Sequence, residues 1–435
     1  MKIAYLFTTF PVQSETFLQR ELRLMAKQGV QIQIHSLWKG SQEWEGQKVE
    51  HFRHRHLFKL LWELPYWSFR KPNVLRNVLQ RLYQHEVHSL QNLGELLMGL
   101  GFAIVKARDF SKAPPDLLHG VWATMPATAA WLLNQLTGLP YSMGAHAYDV
   151  FSHGGDCLLP AKLTSARLVH TTTAATRRRL LQLGADSERI QLVRRGLDHF
   201  PEFIPARKNP STIRFITVGR MVPKKGFSDQ LQLYKKLKEA GISFEARIIG
   251  DGGLKQRLID QRDRLGLQSE VSFVGWLDYG SVIREYAWAD AFVFTGKIAS
   301  NGDRDGLPNV IPEAMACGLV VLTSPVSGTV EAIEDGETGF VCPMNQFEKW
   351  LAAVRAIQAE LHLVAHIQDK ARKWVEENFD NRKNAAALAN ALRDAVGFCD
   401  FPGPQPPRTK SDASVLQMPA SQEAVQDYNQ QSRAS

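Results

Sequence analysis

Between Asp303 and Gly318 the chain reads DRDGLPNVIPEAMACG, and the strand-like LVVLTS follows. Asn309 suits a helix N-cap, Pro312 fits a first turn whose N–H groups have no intrahelical partner, and Gly318 stops the helix. That puts Asp305 on the loop before the helix and Glu313 one turn in, facing back toward the loop. Two carboxylates would then flank a helix N-terminus, which attracts phosphate. One could reach sugar hydroxyls and the other a ribose. The blander reading makes Asp305 a turn residue and Glu313 an acid that offsets the helix dipole.

Upstream, the basic loop GRMVPKKG (219–226) directly follows the strand-like IRFITV. At the C-terminal end of a parallel strand, Arg220 and Lys225 form a plausible diphosphate clamp: Arg binds oxygens bidentately and Lys adds a point charge. A basic loop in isolation is more often solvated surface; its placement favours the clamp. Gly250-Asp251-Gly252-Gly253 ends EARIIG and opens LKQRL, where free N–H groups could face an anion, although any tight strand-to-helix turn also wants glycine. Neither loop matches G-x-G-x-x-G or G-x-x-x-x-G-K-[ST], which argues against a dinucleotide oxidoreductase and a P-loop ATPase.

The elements that must position these residues alternate along the chain. KIAYLF, VQIQIHSL, DLLHGVW and LPYSMGAH in the first half, and IRFITVG, EARIIG, VSFVG, DAFVFTG and LVVLTS in the second, are short apolar runs separated by amphipathic stretches. The pattern predicts α/β architecture with parallel sheets. A chain of 435 residues exceeds the ~250–300 at which single cores stop growing. The proline-flanked PARKNP (205–210) marks the boundary, giving a first domain over 1–205, a second over 211–378 and a C-terminal helix over 379–398. Residues 400–435 lack apolar periodicity and read as a disordered tail.

Within the first domain, 51–105 reads as a basic amphipathic insertion. From His51 to Arg81 it has seven Lys or Arg against one acid, Glu63, interleaved with Phe52, Phe58, Trp62, Tyr66, Trp67 and Phe69. Such a face suits an anionic lipid surface. An inserted helical lid with a solvated basic face fits equally well.

Hydrophobic content of 44% and charged content of 22% are ordinary for a globular protein. The net charge of +8 leaves nucleic acid, anionic lipid and phosphorylated substrates as partners. No recognition helix or RNA-binding motif accompanies the charge, so no nucleic-acid partner is expected. Cys157, Cys317, Cys342 and Cys399 form no C-x-x-C pair and read as reduced thiols of a cytoplasmic protein. The N-terminus reads as a strand, not a signal peptide, and the longest uncharged apolar run, Leu96 to Val105, is half the ~20 residues that cross a bilayer. Any membrane contact is expected to be peripheral, at the inner face.

GRMVPKKG, IIGDGG, DGLPNVIPEAMACGLVVLTSPVSGTVEAIEDGETGFV and the upstream SMGAHAYDVF together resemble the large retaining glycosyltransferase family of GT-B type, family 4-like, whose signature is Glu, seven residues, Glu. SETFLQRE and the basic insertion resemble its exopolysaccharide and colanic-acid branch. The resemblance runs from Met1 to about Leu392. It implies two facing Rossmann-like domains and a hexosyltransferase of polysaccharide biosynthesis that moves a sugar from a nucleotide-diphosphate donor, with retention, to a saccharide or polyprenyl-linked saccharide. It implies that Arg220 and Lys225 hold the donor diphosphate, with Gly306, Leu307 and Asn309 completing the donor site. Glu313 would bind the ribose, Asp305 the donor sugar, and His146 would be the active-site histidine; Ser14 and Glu15 are acceptor-binding candidates.

Two departures stand out. Asp305 replaces the usual Glu, one methylene shorter, and TTFPVQSE lacks the glycine pair that many members set against the donor phosphates. The first keeps a non-catalytic sugar- or nucleotide-binding protein on the same scaffold as an alternative. Asp303-Arg304-Asp305 also spells the metal-chelating Asp-x-Asp, but Arg220, Lys225 and the helix N-terminus already supply positive charge to a leaving diphosphate. Neither a metal nor a cofactor is therefore expected.

Overall fold

The computed structural model describes residues 1–12, 15–84, 89–326 and 328–397. The expected tail over 400–435 lies outside them. The chain forms two compact units, one of Met1–Arg195 with the described residues from Asn381 onward, the other of Gly196–Asp380.

The first unit is built on eight strands: β1 Lys2–Thr9, β2 Gln31–Lys39, β3 Glu43–Trp44, β4 Gln47–His51, β5 Leu117–Gly120, β6 Tyr141–Gly144, β7 Leu168–Thr171 and β8 Ile190–Leu192. Their order is β3-β4-β2-β1-β5-β6-β7-β8, parallel except for the β3–β4 hairpin. β1 is apolar and buried from Ile3 to Phe7, as suits a sheet with both faces covered by helices. Ala4 and Leu6 enter one core with Leu118, Leu132 and Met143, while Ile3, Tyr5 and Phe7 enter another with Leu18, Leu22 and Met25. The helix Asn381–Gly397 adds Leu388, Ala389, Leu392 and Ala395 to that second core. It is therefore part of the first unit, and not an appendage of the second.

Residues 51–105 form the helices Leu60–Arg70 and Pro72–Gln84 and the first part of the helix Leu90–Lys112. Phe52 and Trp67 are buried with Leu96, Leu100 and Phe102, which removes both from the expected aromatic surface. Phe58, Trp62, Tyr66 and Phe69 remain exposed, joined by Leu61, Leu79 and Tyr83. Glu63 is buried and its carboxylate accepts from Arg108 Nε at 2.9 Å. The seven cations from Arg53 to Arg81 are all exposed, so the surface of 51–81 presents basic groups without an acid. No helix among the described residues is long and apolar enough to cross a membrane.

The second unit carries β9 Ile213–Val218, β10 Phe244–Ile249, β11 Val271–Gly275, β12 Ala291–Phe294, β13 Val320–Thr323 and β14 Phe340–Val341. They run in the order β11-β10-β9-β12-β13-β14, all parallel. Numbered within the unit this is 3-2-1-4-5-6, the doubly wound order, and it reverses direction between β9 and β12. The division falls at Arg195/Gly196, ahead of the 205–210 boundary read from the prolines. Residues 196–206 are tied to the second unit: Leu197 N–H donates to Phe379 O at 2.7 Å, Ile204 N–H to Cys317 O at 3.0 Å and Ala206 N–H to Gln368 Oε1 at 3.1 Å.

Candidate functional site

In the second unit, the loop after β9 carries Arg220 and Lys225, and the loop after β12 carries Asp305, Gly306, Leu307 and Asn309, leading to Glu313. These are the two loops at the point where the strand order reverses, the place where open α/β sheets bind ligands. Arg220 is exposed, and its guanidinium has no partner among the described residues. Lys225 Nζ lies 2.7 Å from Asp305 Oδ2 and 5.4 Å from the Phe294 ring centre. Lys224 Nζ lies 3.0 Å from Asp303 Oδ1 and 3.5 Å from Asp305 Oδ1. Burial pushes the Asp305 carboxyl toward protonation, but Lys225 and Lys224 outweigh it and hold the pKa below the ordinary value. The expected phosphate lysine and the expected sugar acid are thus an ion pair.

Two glycines set this loop. Gly226 has φ +70°, and a Cβ there would sit 1.7 Å from Thr295 O. Gly250 has φ +131°, with Gly219 O 2.1 Å from its would-be Cβ. The Gly250–Gly253 turn is bound to the Arg220 loop by Met221 N–H to Asp251 O at 2.8 Å and Leu254 N–H to Met221 O at 3.1 Å. Close backbone approach explains that glycine-rich turn without an anion.

The helix Val310–Ala316 keeps Pro312 in its first turn, with Glu313 half-buried. Asn309 is not the side-chain cap expected: its backbone is already helical and its side chain makes no capping bond. The turn begins one residue earlier, where Pro308 O accepts from Ile311 N–H at 3.0 Å.

His146 lies in the first unit, past the end of β6, and is 4% exposed. Its N–H and that of Ala147 donate to the Asp149 carboxylate at 3.1 and 2.8 Å, and Ala123 N–H donates to the same group at 3.0 Å. Its carbonyl accepts the Thr176 hydroxyl at 2.5 Å. Trp122 and His170 stand edge-on to the imidazole at 5.3 and 5.1 Å between centres, and Arg195 Nη2 lies 3.0 Å from Nε2. Burial first, then Arg195, His170 and His119, lowers the His146 pKa well below 6.5, so the ring is neutral. Glu15 is half-buried and opens the helix Thr16–Lys27; Ser14 lies outside the described residues.

Sequence reasoning missed Arg195, Trp122 and Asp149. Arg195 follows β8 as Arg220 follows β9, a cation after a strand, but β8 is only three residues long and went unrecognised. Asp149 was legible as the acid three residues beyond His146, the spacing of a side chain that caps a turn.

Residues 201–374 match the sequence family described as Glycosyl transferases group 1. The putative colanic acid biosynthesis glycosyltransferase WcaL of Escherichia coli (strain K12) is 24% identical over 419 residues, covering 90% of this chain and 100% of the relative. The amylovoran biosynthesis glycosyltransferase AmsK of Erwinia amylovora is 31% identical over 219 residues, covering 49% and 53%. Among solved structures, Anabaena Alr3699/HepE in complex with UDP and glucose aligns with a TM-score of 0.64 at 17% identity, over 91% of this chain and 100% of that one. At that identity the likeness shows the fold, GT-B, alone.

Proposed function

We propose that this chain, whose residues 201–374 match the Glycosyl transferases group 1 family, moves a sugar from a nucleoside-diphosphate donor to a saccharide acceptor with retention of configuration. The observation that carries the donor reading is the pairing of a free Arg220 and an acid-bound Lys225 after β9 with Asp305 and Glu313 after β12. A diphosphate there would meet Arg220 directly and draw Lys225 from Asp305, releasing the carboxylate toward the sugar hydroxyls. Glu313, one turn into its helix, would take the ribose. Asp303 and Asp305 already face ammonium groups, which supply the positive charge a divalent ion would otherwise bring. Transfer is accordingly metal-independent.

Retention follows from where the bases are. An inverting transferase needs a protein base on the acceptor side. The acids of the donor cluster hold the donor, and a neutral, deeply buried His146 is a poor proton acceptor. The departing diphosphate oxygen is then the base, and the acceptor attacks from the face it leaves. The His146 carbonyl, engaged by Thr176, supports a contact through the ring in preference to the main chain.

The names of WcaL and AmsK, colanic acid and amylovoran biosynthesis glycosyltransferases, favour exopolysaccharide assembly, and a lipid-linked saccharide is the acceptor proposed here. The exposed aromatic and basic face of 51–81 supports peripheral contact with anionic lipid, which binds such faces by hydrophobic insertion and charge together. One experiment tests the core of this reading: the purified full chain is given α-linked nucleotide sugars and an acceptor with and without EDTA, and the product is examined by NMR. An α-linked product formed equally in EDTA is expected. A β-linked product overturns retention, loss in EDTA restored by Mg²⁺ overturns metal independence, and donor binding with neither transfer nor hydrolysis would make the chain a binding protein.

A further inference from the structure

We infer that Arg195 is a positioning residue that fixes His146 as the neutral tautomer with its proton on Nδ1, and so makes the histidine a hydrogen-bond donor to substrate. A guanidinium has five N–H donors and no acceptor. With Arg195 Nη2 at 3.0 Å, Nε2 must present its lone pair. A proton on Nε2 would point at a cation, so the single ring proton sits on Nδ1. That atom is buried and has no hydrogen-bond partner among the described residues. A buried donor without an acceptor is unfavourable, and a sugar hydroxyl would supply the acceptor.

Arg195 is itself held from several sides. Its guanidinium lies 4.3 Å from the Phe17 ring centre and 5.3 Å from that of Trp122, and its Nε is 3.8 Å from Glu21 Oε2. Glu21 is buried on the helix Thr16–Lys27 and answers the charge. Trp122 and His170 stand edge-on to the imidazole and Arg195 faces Nε2, and none of them engages Nδ1. Arg195, His170 and His119 oppose its protonation, and the nearby acid Asp149 is engaged by the N–H groups of Ala123, His146 and Ala147.

The inference rests on the transferase reading for its substrate but not for its tautomer, and the tests separate the two. In the full-length protein labelled with ¹⁵N-histidine, the His146 ring is expected to give one protonated nitrogen, Nδ1, throughout pH 6 to 8, roughly the range where an ordinary histidine titrates. An Nε2–H or imidazolium signal overturns the proposal whether or not transfer is observed. In Arg195→Met, which keeps an apolar stem between Phe17 and Trp122, the tautomers are expected to mix and the His146 pKa to rise. Turnover should fall at least tenfold while the nucleotide-sugar Kd stays within about threefold, because the phosphate clamp is untouched. Since that variant leaves Glu21 without its partner, Arg195→Met with Glu21→Gln is measured beside it. A folded double variant that retains the wild-type turnover and ring signals overturns the role of Arg195; partial rescue in Arg195→Lys, which restores a donor at Nε2, supports it.

Discussion

His146 in the first unit and Asp305 in the second each face a cation, Arg195 at 3.0 Å and Lys225 at 2.7 Å, yet the two environments act in opposite chemical senses. Around His146, burial and the neighbouring cation both disfavour protonation, so they add and leave a neutral ring. Around Asp305, burial disfavours the carboxylate while the lysines favour it, and the lysines prevail. The first cluster can therefore offer directional hydrogen bonding, and the second can offer charge that rearranges when a charged ligand arrives. The proposed transfer calls on both properties, since affinity for a diphosphate does not by itself orient the sugar it carries.

The sharpest break of this comparison would be a pair of variants that exchanged their expected effects. His146→Ala should lower turnover on the order of 100-fold, the range seen when one preorganised donor is lost, with a much smaller loss of nucleotide-sugar affinity. Titration calorimetry beside initial rates checks both halves; a matching loss of affinity would mean that His146 holds the ground state. Arg220→Ala should act the other way, weakening donor binding by about tenfold or somewhat more, as for a charge-assisted hydrogen bond. Binding by the variant should also respond less to salt, since Arg220 is an exposed charge. Equal salt slopes in the two proteins would remove Arg220 from the clamp.

Acid should separate the units next. Burial lowers the pKa of His119 from 6.5 to about 3 and that of His170 to about 4. As pH falls below 6.5 the unfolded chain takes up protons that the folded first unit refuses, so stability falls until the folded values are reached. Glu21 and Asp149, whose pKa values burial raises, act in the opposite sense and offset part of the loss. In the second unit Asp305 is held below its ordinary 3.8, so its contribution is present above that value and disappears only as pH falls through the depressed one. Hydrogen exchange at about pH 7 and pH 5, corrected for intrinsic rates, should show β5 to β7 losing protection before β9 and β12. Parallel losses in both units would contradict the contrast.

How much of this was legible follows the same division. The second unit's strands are apolar runs closed by glycine or a basic loop, so β9, β10, β11, β12 and β13 could be read, and with them Arg220, Lys225 and Asp305. β14, with two residues, could not. In the first unit β7 and β8 are short and carry His170 and Gln191, which blur an apolar pattern, so neither was recognised as a strand. The role of Trp122 depends on contacts between separate strand ends, which no local pattern encodes, and the local spacing of Asp149 shows its bonds to His146 and Ala147 but not the one to Ala123. The reading of 51–81 gave the charge correctly but could not tell which aromatics face inward, because Phe52 and Trp67 differ from Phe58 and Phe69 only in what other helices cover them.

The smallest expected effect is the most discriminating for the ion pair. Asp305→Asn removes the partner of Lys225 without changing the size of the side chain, and two consequences oppose one another. Freeing Lys225 from its 2.7 Å contact makes the ammonium available to phosphate, which strengthens binding of a nucleoside diphosphate. Loss of the carboxylate removes an acceptor for the sugar hydroxyls, which weakens the part of the ligand that the diphosphate alone lacks. Affinity for the bare nucleoside diphosphate should therefore rise by no more than about fivefold, a modest gain because Lys225 stays partly paired with solvent, while affinity for the nucleotide sugar stays level or falls. Competition binding with the two ligands reads the difference directly. If both weaken together, Asp305 acts mainly by holding Lys225 in place, and the acid has no separate contact with the sugar. If the sugar-bearing ligand gains as much as the bare diphosphate, Asp305 only restrains the lysine, and the donor sugar is recognised elsewhere.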